Sequence, residues 1–558
     1  MKKITLASGL LLYLFSGKSL AQFTSVWTAA YQHTASAGYS NEGRMVAEDP
    51  MGNVFILSDN TSDIDQNGVQ GTNTYHYVTV AKYSTNGSLL NSLVIDVYNH
   101  ATTGFNNPGA FGLEVDAAGD VYIGYTTWDA ITGYDIVLEK YDNNLSNIWI
   151  NFYITLFDDI GIDFKLHISG TVYALVKSTG MTTTYSIIES VPLSVPPILI
   201  YSFPGAFVGL NSIALDGNQI VYAGGYSLKA GYKNAYLSAI DVTTHSILWG
   251  SIYTPSHYYG DDEINQVTVG VDGNIYSVGT SFQGPNGNQA VVLKNSPGNR
   301  KFDFIEFMSA GGIGIYGLFI DASESGWVYI GAVDEADPKA YVFRIPDDGI
   351  YNAPGTIGFA PEPLSAFTSV NSLKLTDMKV SSNSRVYITG SIEATGPSGD
   401  YTCSFLSKAF VVFGNALIDG GSFSVDGDFD HNYEGVGLSL DYSKADVYWI
   451  RNSWDDLHNS EVVELLDVNV PAPLRKANDT FVTDILVSPN PATSYIDIKS
   501  DAILNSVEIT DLRGSRLSKE NFSGEEHRMD ISGLSPGIYL VRATSAEGDE
   551  IIKKIAVN

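Results

Sequence analysis

The residues of this sequence with chemistry to offer are carboxylates and aromatic rings gathered in short segments. Acids cluster at Asp158-Asp159, at Asp261-Asp262-Glu263, and in the run from Asp426 to Glu434 that also holds Asp428, Asp430, His431 and Tyr433. Phe157, Tyr258 and Tyr259 flank the first two clusters, and Tyr39, Glu42, Phe105 and Phe207 stand in comparable segments. Aromatic faces stack on sugar rings or apolar groups, while carboxylates orient hydroxyls or hold cations. Asp158, Asp159, Tyr258, Tyr259, Asp261, Asp262, Glu263, Tyr433 and Glu434 are therefore the candidate ligand-binding residues. Against this stands a plainer reading, that a chain with 62 acidic and 31 basic residues carries solvated acidic loops everywhere.

Two stretches have part of a calcium loop, which needs six to eight hard oxygen ligands. Asp63, Asp65 and Asn67, followed by Gly68, match the first half of the pattern, with Thr74 where the bidentate glutamate belongs. Asp426, Asp428 and Asp430 alternate correctly, but His431 takes the glycine position. Calcium is the one cofactor these residues suggest. Paired carboxylates with His257 or His431 as base could run glycoside hydrolase or lyase chemistry, although spacing fixes no pair. The single cysteine, Cys403, excludes an internal disulfide and a cysteine-built zinc site. Gly533-Leu534-Ser535-Pro536-Gly537 is a formal hydrolase-elbow match without the strand-to-helix context or downstream partners that chemistry requires. The net charge of −31 repels nucleic acid.

The elements that must position these residues come from an internal repeat. An acidic residue, a turn, and then a β-branched residue with an aromatic recur eight times, as in Asp49 to Phe55, Asp116 to Tyr122, Asp216 to Tyr222 and Asp272 to Tyr276. The third copy, Ile168 to Tyr173, is degenerate, and the last ends at Tyr448. Phe55 and Tyr448 stand 393 positions apart over seven intervals, a period of about 56, which suits one four-stranded blade with long loops. In each copy the acid bonds its own backbone in a hairpin turn, so its role is structural. Trp149 and Tyr153, and Trp249 and Tyr253, share a Trp-x-x-x-Tyr fourth strand with Trp27 and Tyr31, which precede the first repeat. The eighth repeat has no obvious fourth strand, and the N-terminal one would supply it, leaving no free sheet edge. The expectation is an all-β chain: an eight-bladed β-propeller over residues 22–470, or seven blades if the third copy is an insertion.

The ends carry addresses. Met1-Lys2-Lys3, an apolar run to Phe15 and Ser19-Leu20-Ala21 read as a secretory signal peptide over residues 1–21. A proline-containing linker covers residues 471–480, and alternating strands over residues 481–558 suggest a small immunoglobulin-like sandwich. No later segment has the length and apolarity of a transmembrane helix.

The repeats resemble the β-propeller repeats of secreted bacterial proteins, a likeness that implies fold and not activity. Val487-Ser488-Pro489-Asn490-Pro491, Asp511-Leu512-Arg513-Gly514, Leu534 to Tyr539 and Lys553-Lys554 resemble the type A C-terminal sorting domain of the Bacteroidetes type IX secretion system. That resemblance implies engagement with the secretion machinery, export across the outer membrane, and release or attachment at the cell surface. Three functions compete: a binding module for a glycan or protein, an extracellular carbohydrate-active enzyme, and a structural or adhesion component.

Overall fold

The computed structural model describes residues 23–31, 40–64, 70–100, 109–190, 197–204, 207–253, 260–308, 314–323, 327–334, 338–346, 355–359, 369–381, 385–396, 399–412, 416–425, 431–441, 446–455, 459–468, 485–488, 492–510, 516–535, 537–545 and 550–557. They fall into two compact units, Met1–Val470 and Pro471–Asn558.

The repeat makes a local structure before it makes a fold. Asp116 Oδ1 accepts the backbone N–H groups of Ala118 and Asp120 at 2.9 and 3.0 Å, and Gly119 turns the chain at φ +84°. This closes a hairpin between Ala110–Val115 and Val121–Asp129. The aromatic that ends the motif then ties three strands together. Tyr122 donates its hydroxyl to Asp116 at 3.0 Å and pairs across the next hairpin with Lys140, whose Nζ sits 4.8 Å from the Tyr122 ring centroid and 2.8 Å from Asp120. Asp272, Tyr276 and Lys294 repeat the arrangement.

Each repeat forms a four-stranded antiparallel sheet, and the first unit holds eight of these among the described residues. The degenerate third copy has its full set: Asp158–Leu166, Val172–Thr179, Thr183–Ser190 and Ile198–Pro204. In the eighth sheet His431–Asp441, Asp446–Asp455 and Asn459–Val468 are joined by Phe23–Tyr31, which pairs antiparallel with Asn459–Val468. Middle strands are buried on both faces, so Val54 to Asn60 are all inaccessible despite alternating sides. The reason is face-to-face stacking. One buried cluster joins the first and second sheets through Phe55, Leu57, Val121 and Ile123, the next joins the second and third through Tyr122, Ile136, Phe164 and Val172, and so on to Tyr387, Leu406, Leu438 and Trp449 between the seventh and eighth.

The first strands of consecutive sheets lie side by side, and that of the eighth lies beside that of the first. Every first strand carries a β-bulge at the same register, between Gly43 and Met45, Ala110 and Gly112, Gly161 and Asp163, Leu210 and Ser212, Ile264 and Gln266, Gly317 and Phe319, Leu375 and Asp377, and Gly435 and Gly437. The bulge brings the facing second strand so close that a Cβ on Gly279 or Gly390 would lie 1.8 Å from a carbonyl oxygen of its partner. It also turns polar side chains toward the adjoining sheet. Asp163 accepts the Ile213 N–H at 2.8 Å, Gln266 the Ile320 N–H at 2.7 Å, and Asp377 the Leu438 N–H at 2.9 Å.

In the second unit, Tyr495–Thr510 pairs with Ile485–Ser488, Arg516–Asp530 and Gly537–Ser545, and Glu550–Val557 closes the edge. Its register breaks between Lys499 and Leu504, and both halves, with Ile496, Ile498, Val507 and Ile509, pack into one core with Met529, Val541 and Ile555.

Candidate functional site

The acids singled out by the sequence sit where one sheet hands over to the next. Asp158 opens the first strand of the third sheet, and its Oδ1 accepts the backbone N–H of Tyr134, at the start of the third strand of the second sheet, at 3.1 Å. Asp261 does the same one repeat pair later, accepting the Lys233 N–H at 2.9 Å. Glu263 takes the Lys233 ammonium at 2.7 Å, and that ammonium lies 4.5 Å from the Tyr226 ring centroid. These residues clamp neighbouring sheets.

The second acid of each pair turns inward. Asp159 stands opposite Ser178 and Asp262 opposite Ser281, at equivalent places in their sheets. Asp262 accepts the Ser281 hydroxyl and, at 3.1 Å, the Phe282 N–H, while Asp159 accepts the Thr155 N–H at 3.1 Å. Burial pushes both carboxyls up to about 6. Asp135, from the third strand of the second sheet, is also buried and its carboxyl is pushed up by that burial.

Around these clamps the loop ends are apolar. Ile131 at the hairpin tip of the second sheet, Leu156 on the connection to the third, and Met181 at the hairpin tip of the third are 89%, 82% and 99% exposed. They belong to one neighbourhood. The Asp158 carboxylate sits against Gly133, beside the first tip, and the Phe157 ring covers Gly180, beside the second. Phe207, also exposed, continues the edge, its carbonyl accepting the Leu228 N–H of the fourth sheet at 2.7 Å.

A cavity of about 290 Å³ opens among the first strands, lined by Arg44, Glu114, Asp163, Lys165, Asp377 and Lys379 among others. Its charges are largely matched: Arg44 pairs with Asp59 at 2.7 Å and Glu42 at 3.0 Å, and Lys165 with Asp163 at 2.8 Å. Burial pushes the Glu114 carboxyl up, against the pull of Lys165 and Lys379.

Of the other expected site residues, Asp63 stands in Val54–Ile64, and Tyr433 and Glu434 in His431–Asp441, opposite Ser453 and Asn452. Tyr258, Tyr259, Asp65, Asn67, Asp426, Asp428 and Asp430 lie outside the described residues. Among the described residues no three His, Cys, Asp or Glu side chains are grouped to hold a metal. Cys403 is buried, opposite Ile392. No described helix is long and apolar enough to cross a membrane. Sequence reasoning missed Asp135 and the tips Ile131 and Met181; a lone apolar residue in a polar hairpin was the available signal.

Residues 486–558 match the family described as the secretion system C-terminal sorting domain. The protein is secreted or attached to the outer cell surface. No curated protein matches the chain. Among solved structures, a proposed 6-phosphogluconolactonase of Bacteroides uniformis is similar at 12% identity, over 61% of this chain and 94% of that one, with a TM-score of 0.36. A puromycin hydrolase is similar at 9% identity over 76% of this chain and 61% of that one, with a TM-score of 0.33. Likenesses this distant carry no argument about function.

Proposed function

We propose that residues 22–470 form an eight-bladed β-propeller, closed by Phe23–Tyr31, that acts as a binding or adhesion module for a protein outside the cell. Support for the ring comes from the eight four-stranded sheets, the side-by-side first strands, and a bond from Tyr448 of the eighth sheet to the Gly52 carbonyl of the first at 3.4 Å. In this reading residues 481–558 are a small sandwich that delivers the module through the type IX machinery.

The observation that carries the choice of partner is the exposure of Ile131, Leu156 and Met181 at loop ends that converge beside Phe157. Branched and thioether side chains offer no flat face to a sugar ring, but they fill pockets on a protein. Exposed apolar tips set among carboxylates suit a partner that is apolar at its centre and basic at its rim. An extracellular carbohydrate-active enzyme needs two carboxyls open to substrate. Asp135, Asp159 and Asp262 are 2%, 0% and 2% exposed, closed to a substrate.

The test compares ligand classes. The purified protein should stay silent on a broad glycan array with calcium and with chelator, and should bind intact cell surfaces, its own producing cells included, but lose that binding once the surfaces are treated with protease. Glycan-array hits, or binding indifferent to the protease, would overturn the protein-partner reading.

A further inference from the structure

Lys82, near the end of the third strand of the first sheet, reaches across to the second. Its Nζ donates to the backbone carbonyl of Asn143 at 2.8 Å and also to Asn143 Oδ1, 61 residues away in the turn between the third and fourth strands of the second sheet. Oδ1 is bonded to Cγ, so the lysine nitrogen stands beside the amide carbon. The nitrogen of the same amide is held by Asp49, whose Oδ2 accepts the Asn143 Nδ2–H at 2.9 Å, and by the Gly119 carbonyl at 3.0 Å. Asp49 Oδ2 is also 3.9 Å from Lys82 Nζ. One carboxylate oxygen therefore stands within reach of both the amine and the amide nitrogen. Asp49 Oδ1 meanwhile keeps the turn, accepting the Met51 and Asn53 N–H groups at 2.9 and 2.8 Å.

The group is dry. Lys82 and Asp49 are 5% and 3% exposed, and the Phe55 ring centroid lies 5.2 Å from Nζ. Lys140 and Lys294 hold the equivalent place in the second and fifth sheets, where each answers carboxylates of its own sheet: Lys140 pairs with Asp120 at 2.8 Å and Lys294 with Asp272 at 3.3 Å. In the first sheet the residue matching Asp120 is Asn53, so Lys82 lacks that second carboxylate and turns its donors on Asn143. Burial, opposed by Asp49 and Asp142, lowers the pKa of the Lys82 ammonium and so frees some neutral amine. Burial also works against the Asp49 charge, but the bonds from Asn53, Asn143 and Met51 outweigh it and hold the carboxyl below its ordinary value, which keeps Asp49 ionised as a base.

We infer that Lys82 and Asn143 join in an intramolecular isopeptide bond, and that Asp49 carries the proton between them. Asp49 takes a proton from the Lys82 ammonium, the freed lone pair attacks Asn143 Cγ, and the Nζ–Cγ bond forms. Asp49 returns that proton to Nδ2, the Cγ–Nδ2 bond breaks, and ammonia leaves, taking up the second proton that Nζ sheds. One ammonium ion is released, no oxidant or reductant is consumed, and the first and second sheets are stapled. Free amides resist amines in water, but these two groups are held in contact, and the reaction has to run only once in the life of each chain. A covalent staple between adjoining sheets suits a protein working outside the cell, where local opening exposes a chain to proteases.

Peptide mapping of the secreted protein by mass spectrometry reads this directly. Lys82 and Asn143 should be recovered in one branched peptide, lighter by one ammonia than its two arms taken separately. Asp49→Asn keeps the size of the side chain and removes the proton carrier, so its two peptides should come apart unmodified, with a melting temperature several degrees lower. Should that variant fail to fold, the wild-type map still decides. Separate, unmodified Lys82 and Asn143 peptides from the folded wild-type protein would overturn the inference. So would Asn143 converted to aspartate beside an unlinked Lys82, because water and not the lysine would then have taken the amide. Full linkage in Asp49→Asn would overturn the role of its carboxylate.

Discussion

The carboxylate of Asp163 accepts the backbone N–H of Ile213 at 2.8 Å, and so bonds the bulge of the third sheet to the first strand of the fourth. The same oxygen takes the Ser212 hydroxyl at 3.0 Å. Gln266 and Asp377 repeat the contact at other junctions, so the polar residues lining the middle of the first unit are spent largely on assembly.

Removing that acceptor should weaken the junction. Asp163→Ala leaves the Ile213 N–H and the Ser212 hydroxyl without their partner in a half-buried site, and should cost about 2–3 kcal/mol of stability in denaturant titration. Asp163→Asn keeps an acceptor oxygen and should cost about half as much. Equal losses in the two variants would mean that charge, not the hydrogen bond, holds the sheets.

The bulges make a steric prediction. A methyl group at Gly279 would sit 1.8 Å from the Glu263 carbonyl oxygen, so Gly279→Ala should cost about 2–3 kcal/mol by pushing the first strand off the second. Gly217→Ala is the control, because nothing lies within 4 Å of the added carbon, and its stability should change by less than about 0.5 kcal/mol. Thermal melts of the two variants check both.

Much of this architecture is legible in the sequence because its causes are local. The Asp116 turn, the positive φ of Gly119 and the Tyr122 strand lie within seven consecutive residues, and the motif that spells them also spells the hairpin. The Trp27 to Tyr31 segment betrayed its partner by sharing a pattern with Trp149 and Trp249. The candidate site was less legible because its partners are distant in sequence. Asp158 and Asp261 look like ligand acids until Tyr134 and Lys233, 24 and 28 residues away, take their oxygens. Asp135 and Asp159 belong to different sheets, and nothing in the spacing of two aspartates announces that both will be buried at one junction.

The tail makes a prediction about place. Removing residues 486–558 should abolish the appearance of the protein in the medium and on the cell surface, with the shortened chain retained inside the cell envelope. Immunoblots of cell, surface and medium fractions check it, and undiminished surface levels would show that export does not depend on this segment.

The central claim is that the apolar loop ends of the second and third sheets meet a protein partner. The most direct test is binding of the secreted protein to intact cell surfaces, wild type against Ile131→Ser, Leu156→Ser and Met181→Ser combined. All three side chains are mostly exposed, so folding should be untouched, while affinity should drop at least about tenfold, a loss of roughly 1.4 kcal/mol. Unchanged binding by a folded triple variant would contradict the claim.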